Sequence, residues 1–173
     1  MNQIKEDVIT QFNEFVTEFK NENSKNLLSL VQFDHEIENI FTRVPINEVR
    51  KLTQSDFEPR GTTSLRDAIG ITIQNIRSRY KDIHRDLKTN HKVIVAVITD
   101  GLENSSEEYS AEILKKLLDK VQNKKGWKFL FFGANQDSVF EGSKLGIKSD
   151  LCYDMVFSSE GVKMSLKTLK QSV

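Results

Sequence analysis

Cysteine, net charge and long apolar runs are what this chain has least of, and each shortage closes off a class of protein. A single cysteine, Cys152, stands among 173 residues. No internal disulfide can form, which suits a reducing cytosol. Lys and Arg number 25 against 25 Asp and Glu, so no global field recommends nucleic acid or an anionic membrane as partner. No apolar stretch approaches the roughly 20 residues that a bilayer span needs. The amino terminus also lacks the charged-then-apolar pattern of a secretory signal. Neither Gly-x-Gly-x-x-Gly nor Gly-x-x-x-x-Gly-Lys-Ser/Thr occurs, and no nucleophile–base pairing is suggested, which speaks against a nucleotide-using enzyme. There is no internal repeat and no low-complexity linker. The expectation is one soluble, cytoplasmic domain over residues 1–173, long enough to bury a sizeable core.

Against these absences one stretch stands out: Val93-Ile94-Val95-Ala96-Val97-Ile98-Thr99-Asp100-Gly101. Six apolar residues in an unbroken, mostly β-branched run predict a strand buried on both faces, as in the parallel sheet of an α/β protein. The run stops at Thr-Asp-Gly and leaves Asp100 at the strand's carboxyl end, where open α/β sheets bind their ligands.

Around that strand, helix and strand patterns alternate. Ile4, Val8, Phe12, Phe15 and Phe19 recur at helical spacing and predict an amphipathic helix over residues 3–20. Leu27 to Phe33 reads as a short strand turning at Asp34-His35 into a hairpin partner, Ile37–Phe41. A short helix is expected near Asn47–Leu52, and a longer one carries Leu65, Ile69, Ile73, Ile76 and Tyr80 on one face. Ser105 and Glu108 are spaced as a capping box for a helix with Ile113, Leu114, Leu117, Leu118 and Val121. Gly126 precedes a strand, Trp127–Phe132, and a short helix closes at Gly146. A weak strand over Leu151–Phe157 and a helix with Val162, Leu166 and Leu169 complete the chain. The pattern is α/β: a doubly wound, Rossmann-like, mostly parallel sheet with one antiparallel edge hairpin and helices on both faces.

The second chemical signal is Gly61-Thr62-Thr63-Ser64-Leu65-Arg66-Asp67-Ala68. Its hydroxyls stand on a glycine-started loop just before a helix, where they cap free N–H groups or turn outward to a hard cation. With an aspartate at a neighbouring strand end, such oxygens are the ligands magnesium prefers, water completing the octahedron. The plain alternatives remain open. Asp100 before a glycine also suits a turn, Ser64 suits a helix cap, and Asp67 suits backbone or side-chain bonding.

These residues resemble the von Willebrand factor type A (vWA) domain, in its short bacterial and phage form. Gly61–Ala68 looks like the family's threonine loop and Ile98-Thr99-Asp100-Gly101 like its aspartate strand end. Gly133-Ala134-Asn135-Gln136-Asp137 and Lys144-Leu145-Gly146-Ile147 look like its next strand end and helix end. The resemblance implies a metal-ion-dependent adhesion site (MIDAS). That site takes an Asp-x-Ser-x-Ser loop after the first strand, a threonine from a second loop and an aspartate from a third. Thr63 matches the threonine and Asp100 the aspartate. Thr62, Glu103 and Asn104 fall at the rim. A bound Mg2+ or Mn2+ would bridge to an acidic side chain of a partner protein.

The chain departs from the family at its start. The first, central strand and its Asp-x-Ser-x-Ser loop are absent, and Met1 looks like the methionine after the missing serines. On this reading the chain is truncated relative to the family, and a start assigned too far downstream is favoured over a shortened variant. One carboxylate and one hydroxyl predict weak or no metal binding. The lost strand would lie between strands 27–33 and 92–99. Its absence leaves edges that pair directly, gap or recruit another chain, so self-association is expected.

The function expected is a non-enzymatic, protein-binding vWA module with a partial divalent-cation site. The alternative is a metal-independent assembly scaffold, and behind it a nucleotide-using Rossmann-like enzyme. His35, His84 and His91 lack metal-ligand spacing and read as surface or packing residues. Trp127 reads as packing, Cys152 as a small buried hydrophobe. The phenylalanines of the first helix read as core, since no basic groove accompanies them.

Overall fold

The computed structural model describes residues 4–22, 25–83 and 92–173, with backbone alone described at 80–83. Met1, His84 and His91 lie outside the described residues, as does the side chain of Tyr80. Five α-helices and five strands alternate among the described residues: α1 (Lys5–Asn21), β1 (Leu27–Phe33), β2 (Ile37–Pro45), α2 (Leu65–Ile83), β3 (Ile94–Thr99), α3 (Ala111–Lys125), β4 (Lys128–Ala134), α4 (Ser138–Leu145), β5 (Cys152–Met155) and α5 (Ser159–Ser172). The short helix expected near Asn47–Leu52 is a single 3₁₀ turn at Ile46–Glu48.

The side-chain period of two sorts β4 into two layers. Phe129 and Phe131 join Leu65, Ile69 and Ile73 of α2 and Leu114, Leu118 and Val121 of α3 in one core. Leu130 and Phe132 point the other way and pack with Met155, Phe157 and Leu169. A further core joins Phe12, Phe15 and Phe19 of α1 to Phe41 of the hairpin and Val162 and Leu166 of α5. Helices therefore cover both faces of the sheet, the doubly wound arrangement.

The strands form two separate ladders. β3, β4 and β5 are parallel neighbours, in the order β3-β4-β5, while β1 and β2 make an antiparallel hairpin. β1 and β3 share no ladder. Between them lies a cavity of about 1120 Å³, with α1, α2 and α5 contributing to its walls.

That gap overturns one expectation. β3 is not buried on both faces: of its six residues only Val97 and Thr99 are buried, the rest being half-exposed. The strand buried along its length is β4, in which every residue after Lys128 is buried. β4 has a strand on each side, whereas β3 has one, and an apolar run cannot say which neighbours it will find.

The α3 start is a second correction. Ser110, not Ser105, caps it, its side chain accepting from the Ile113 amide. The expected end holds, since Gly126 closes α3 in the left-handed region at φ 66°.

Candidate metal and partner site

The two loops singled out in the sequence meet. Thr63, ahead of α2, and Asn104, five residues after β3 ends, exchange two hydrogen bonds. The Thr63 amide donates to Asn104 Oδ1 at 2.8 Å, and the Asn104 amide donates to the Thr63 carbonyl at 3.1 Å. Gly101 permits the approach, because a Cβ built there would stand 2.5 Å from Thr63 Oγ1. Thr62, Thr63, Asp100, Gly101 and Asn104 all line the same end of the cavity between β1 and β3.

The loop after β3 is held to α2 by two carboxylates. Asp67, buried in the first turn of α2, accepts from the amides of Glu107, Glu108 and Tyr109 at 2.7–3.2 Å. Glu103 reaches the other way. It accepts from the Arg66 amide at 2.7 Å, from the Ser106 hydroxyl at 2.7 Å and from the Ser105 and Ser106 amides. Burial raises the Glu103 pKa, but the Ser106 hydroxyl, these amides and the Arg66 charge together hold it below its ordinary value. Free amides at the start of α2 are thus satisfied by Glu103 and by Ser106, whose hydroxyl accepts from Asp67 N–H. Ser64 is not that cap: its hydroxyl meets the Ser105 hydroxyl at 2.9 Å. Of the rim residues, Thr62 is exposed, Asn104 is tied to Thr63, and Glu103 is turned inward with its side chain 13% exposed.

On the far side of the cavity mouth stands a second charged group. Asp34, just after β1, is buried and accepts from Arg60 Nε at 2.8 Å and from the Glu36 amide at 2.8 Å. Burial raises its pKa, yet the Glu36 amide and the Arg60 guanidinium keep it lower than usual. Its carboxylate is committed to that pair.

Gln136, after β4, carries a feature that sequence reasoning did not weigh. Its Nε2 reaches the Thr99 carbonyl at 3.5 Å, while its Oε1 is buried with no hydrogen-bond partner. An orphaned acceptor beside the residue preceding Asp100 is a place that an ordered water or an ion's hydration shell satisfies. No signal beyond its position at a strand end distinguishes Gln136 in the sequence.

The donors present are hard oxygens, the kind that suit Mg2+ or Mn2+, but the chain brings one carboxylate and one hydroxyl. Among the described residues no group of three or more His, Cys, Asp or Glu side chains is placed to hold a metal. The residues fit a hard cation as part of a site.

No protein-family model and no curated protein matches the sequence. Solved structures do. Proximal thread matrix protein 1 (PTMP1) from the mussel byssus superposes with a TM-score of 0.61 over 95% of this chain, at 17% identity. A form of PTMP1 with a zinc-occupied MIDAS motif matches with a TM-score of 0.60 at 18% identity, again over 95% of this chain. The fold is vWA-like. This vWA-like chain spans 42% of the length of the mussel protein, and at such identities the likeness is one of architecture. In the vWA-like frame, Thr63 and Asp100 stand where the β3 end and the α2 start converge. No helix among the described residues is long and apolar enough to cross a membrane.

Proposed function

We propose that this chain is a non-enzymatic, protein-binding module of vWA type, in which Thr63 and Asp100 are two of the ligands of a divalent cation. One observation carries the reading: the Thr63 loop and the Asp100 loop are bonded to each other at the carboxyl ends of the strands, on a fold shared with a protein whose MIDAS motif takes a metal. Asp100 would supply the charge and Thr63 a neutral oxygen. An ion so held keeps most of its own water, and an acidic side chain of a partner replaces one of those waters. Thr62 and Asn104 form the rim this partner meets. On the vWA pattern, the remaining ligands of such a site come from an Asp-x-Ser-x-Ser loop.

The low ligand count favours a second reading, a metal-independent scaffold that keeps the fold. A calorimetric titration of chelator-stripped protein with Mn2+ separates the two, beside Asp100→Ala and Thr63→Val. Saturable, weak binding that Asp100→Ala abolishes and Thr63→Val weakens is the expected result. Absence of heat in the unaltered chain, or equal heat in all three, selects the scaffold.

A further inference from the structure

The apolar side chains this molecule leaves in water are concentrated at one end of the sheet. Of the eight large ones exposed among the described residues, four follow the carboxyl ends of the three parallel strands. These are Leu102 after β3, Val139 and Phe140 after β4, and Val156 after β5, each 46–73% exposed. The ladder order β3-β4-β5 sets these strand ends side by side, and at about 4.8 Å per strand the row crosses roughly 10 Å. It begins two residues beyond Asp100. From there it runs toward β5, so it is independent of what lies between β1 and β3.

Local bonding fixes each of these side chains outward. Leu102 stands among residues that are tied down: the Gly101 amide donates to Thr99 Oγ1 at 3.2 Å, Glu103 is turned inward onto α2, and Asn104 is bonded to Thr63. In α4 the inward positions are Ser138, Gly142 and Leu145, which share one helical face. Ser138 donates its amide to Asp154 Oδ1 at 2.9 Å, and Gly142 lies against Cys152 Sγ with no room for a Cβ. Val139 and Phe140 are thereby left on the outer side. Val156 is held by its carbonyl, which accepts from the Ser158 amide at 2.8 Å and meets Gly161 where a Cβ would not fit. The charges beside these residues are already engaged. Asp137 accepts from the Phe140 amide and Asp154 from Ser138, while Glu141 pairs with Lys144, whose ammonium lies 4.0 Å from the centre of the Phe140 ring.

We propose that this row is the specificity surface of the partner site, seating apolar side chains that adjoin the partner's acidic residue in sequence. The inference rests on the cation reading of Thr63 and Asp100. An acidic side chain directed at an ion there brings its chain neighbours over Leu102, and an extended segment covers the remaining distance to Val156 in about three residues. Four side chains present a few hundred Å², the scale of a functional patch. That is well short of the roughly 1,200 Å² that a stable interface between two copies buries. A short acidic–apolar segment therefore fits the row, and a second copy does not. The ion accepts any carboxylate, whereas the row discriminates among them, because polar neighbours forgo the apolar contact.

The test loads chelator-stripped protein with Mn2+ by calorimetric titration. It then titrates in two acetylated, amidated peptides, Val-Leu-Asp-Leu-Val and Ser-Ser-Asp-Ser-Ser, whose symmetry serves either chain direction. The apolar peptide should bind at least about tenfold more tightly, and replacing its aspartate by asparagine should abolish binding. The double variant Phe140→Ser with Val156→Ser, altered only at exposed side chains, should take up Mn2+ like the unaltered protein and lose most of that preference. Absence of Mn2+ binding overturns the cation reading and this inference with it. Mn2+ binding with equal affinity for the two peptides overturns this inference alone. So does a preference that survives in the double variant or persists without Mn2+. Sedimentation in which the unaltered chain pairs and the double variant does not would seat a second copy on the row, which also overturns the inference.

Discussion

Glu103 shows how one carboxylate becomes part of the architecture. It lies three residues past Asp100 and, read in sequence, belongs to a solvated rim; in the fold it caps the start of α2 and gathers the Ser105–Ser106 turn. Asp67 reciprocates from α2 by accepting three amides of the same loop. Backbone bonding by Asp67 is legible in the sequence and the role of Glu103 is not, because a cap contributed by another segment leaves no local spacing to recognise. The depressed pKa of Glu103 gives the interaction a pH signature. Its stabilisation is fully present above the ordinary carboxylate value of 4.5 and is lost as pH falls through the lowered folded value. Glu103→Gln should cost about 1–3 kcal/mol at pH 7, and the gap from the unaltered protein should narrow below about pH 4. Urea unfolding of both proteins at pH 7 and pH 3 measures this; a gap of equal size at the two pH values would refute the role.

At the scale of elements, the loops after β1 and β3 and the loop before α2 act as one unit. Ser64 N–H bonds the end of β1, Thr63 bonds Asn104, and Gly101 lies against the Thr63 hydroxyl. Gly101→Ala tests that docking. A Cβ there would sit 2.5 Å from Thr63 Oγ1, so the hydroxyl must shift. The expected cost is about 1–3 kcal/mol of stability, together with loss of the Mn2+ response described above. A variant with unchanged thermal midpoint and unchanged titration would show that the close approach carries no strain. Element boundaries were legible where caps are local: Gly126 and Gly146 both adopt positive φ and end α3 and α4. They were misread at α3, where Ser105 and Ser110 both offer a hydroxyl and only Ser110 takes the cap.

For the whole molecule, the division of the sheet sets where stability resides. β4 is buried and paired on both sides, while β3 faces the gap along one edge. Native-state hydrogen exchange should therefore be slowest in β4, near the free energy of global unfolding, and clearly faster in β3 and β1, whose gap-facing amides lack a ladder. Equal protection of β3 and β4 in the isolated chain would mean that the gap is closed in solution.

The sequence alone determined the order and type of the elements, the hydrophobic face of each helix and the position of Asp100 at a strand end, because these follow from periodicities of 2 and 3.6 and from turn chemistry along the chain. The resemblance to the vWA loops singled out the Thr63 loop and the Asp100 loop, and in the fold these two loops meet through Thr63 and Asn104. Tertiary structure alone decided that β4 rather than β3 is the buried centre, that Glu103 points inward, that Gln136 leaves an acceptor orphaned, and that a slot opens between β1 and β3. Each of these depends on which segments become neighbours across the sheet. Burial and pairing are properties of a strand's surroundings, and a run of valines and isoleucines carries no record of what lies at its edge.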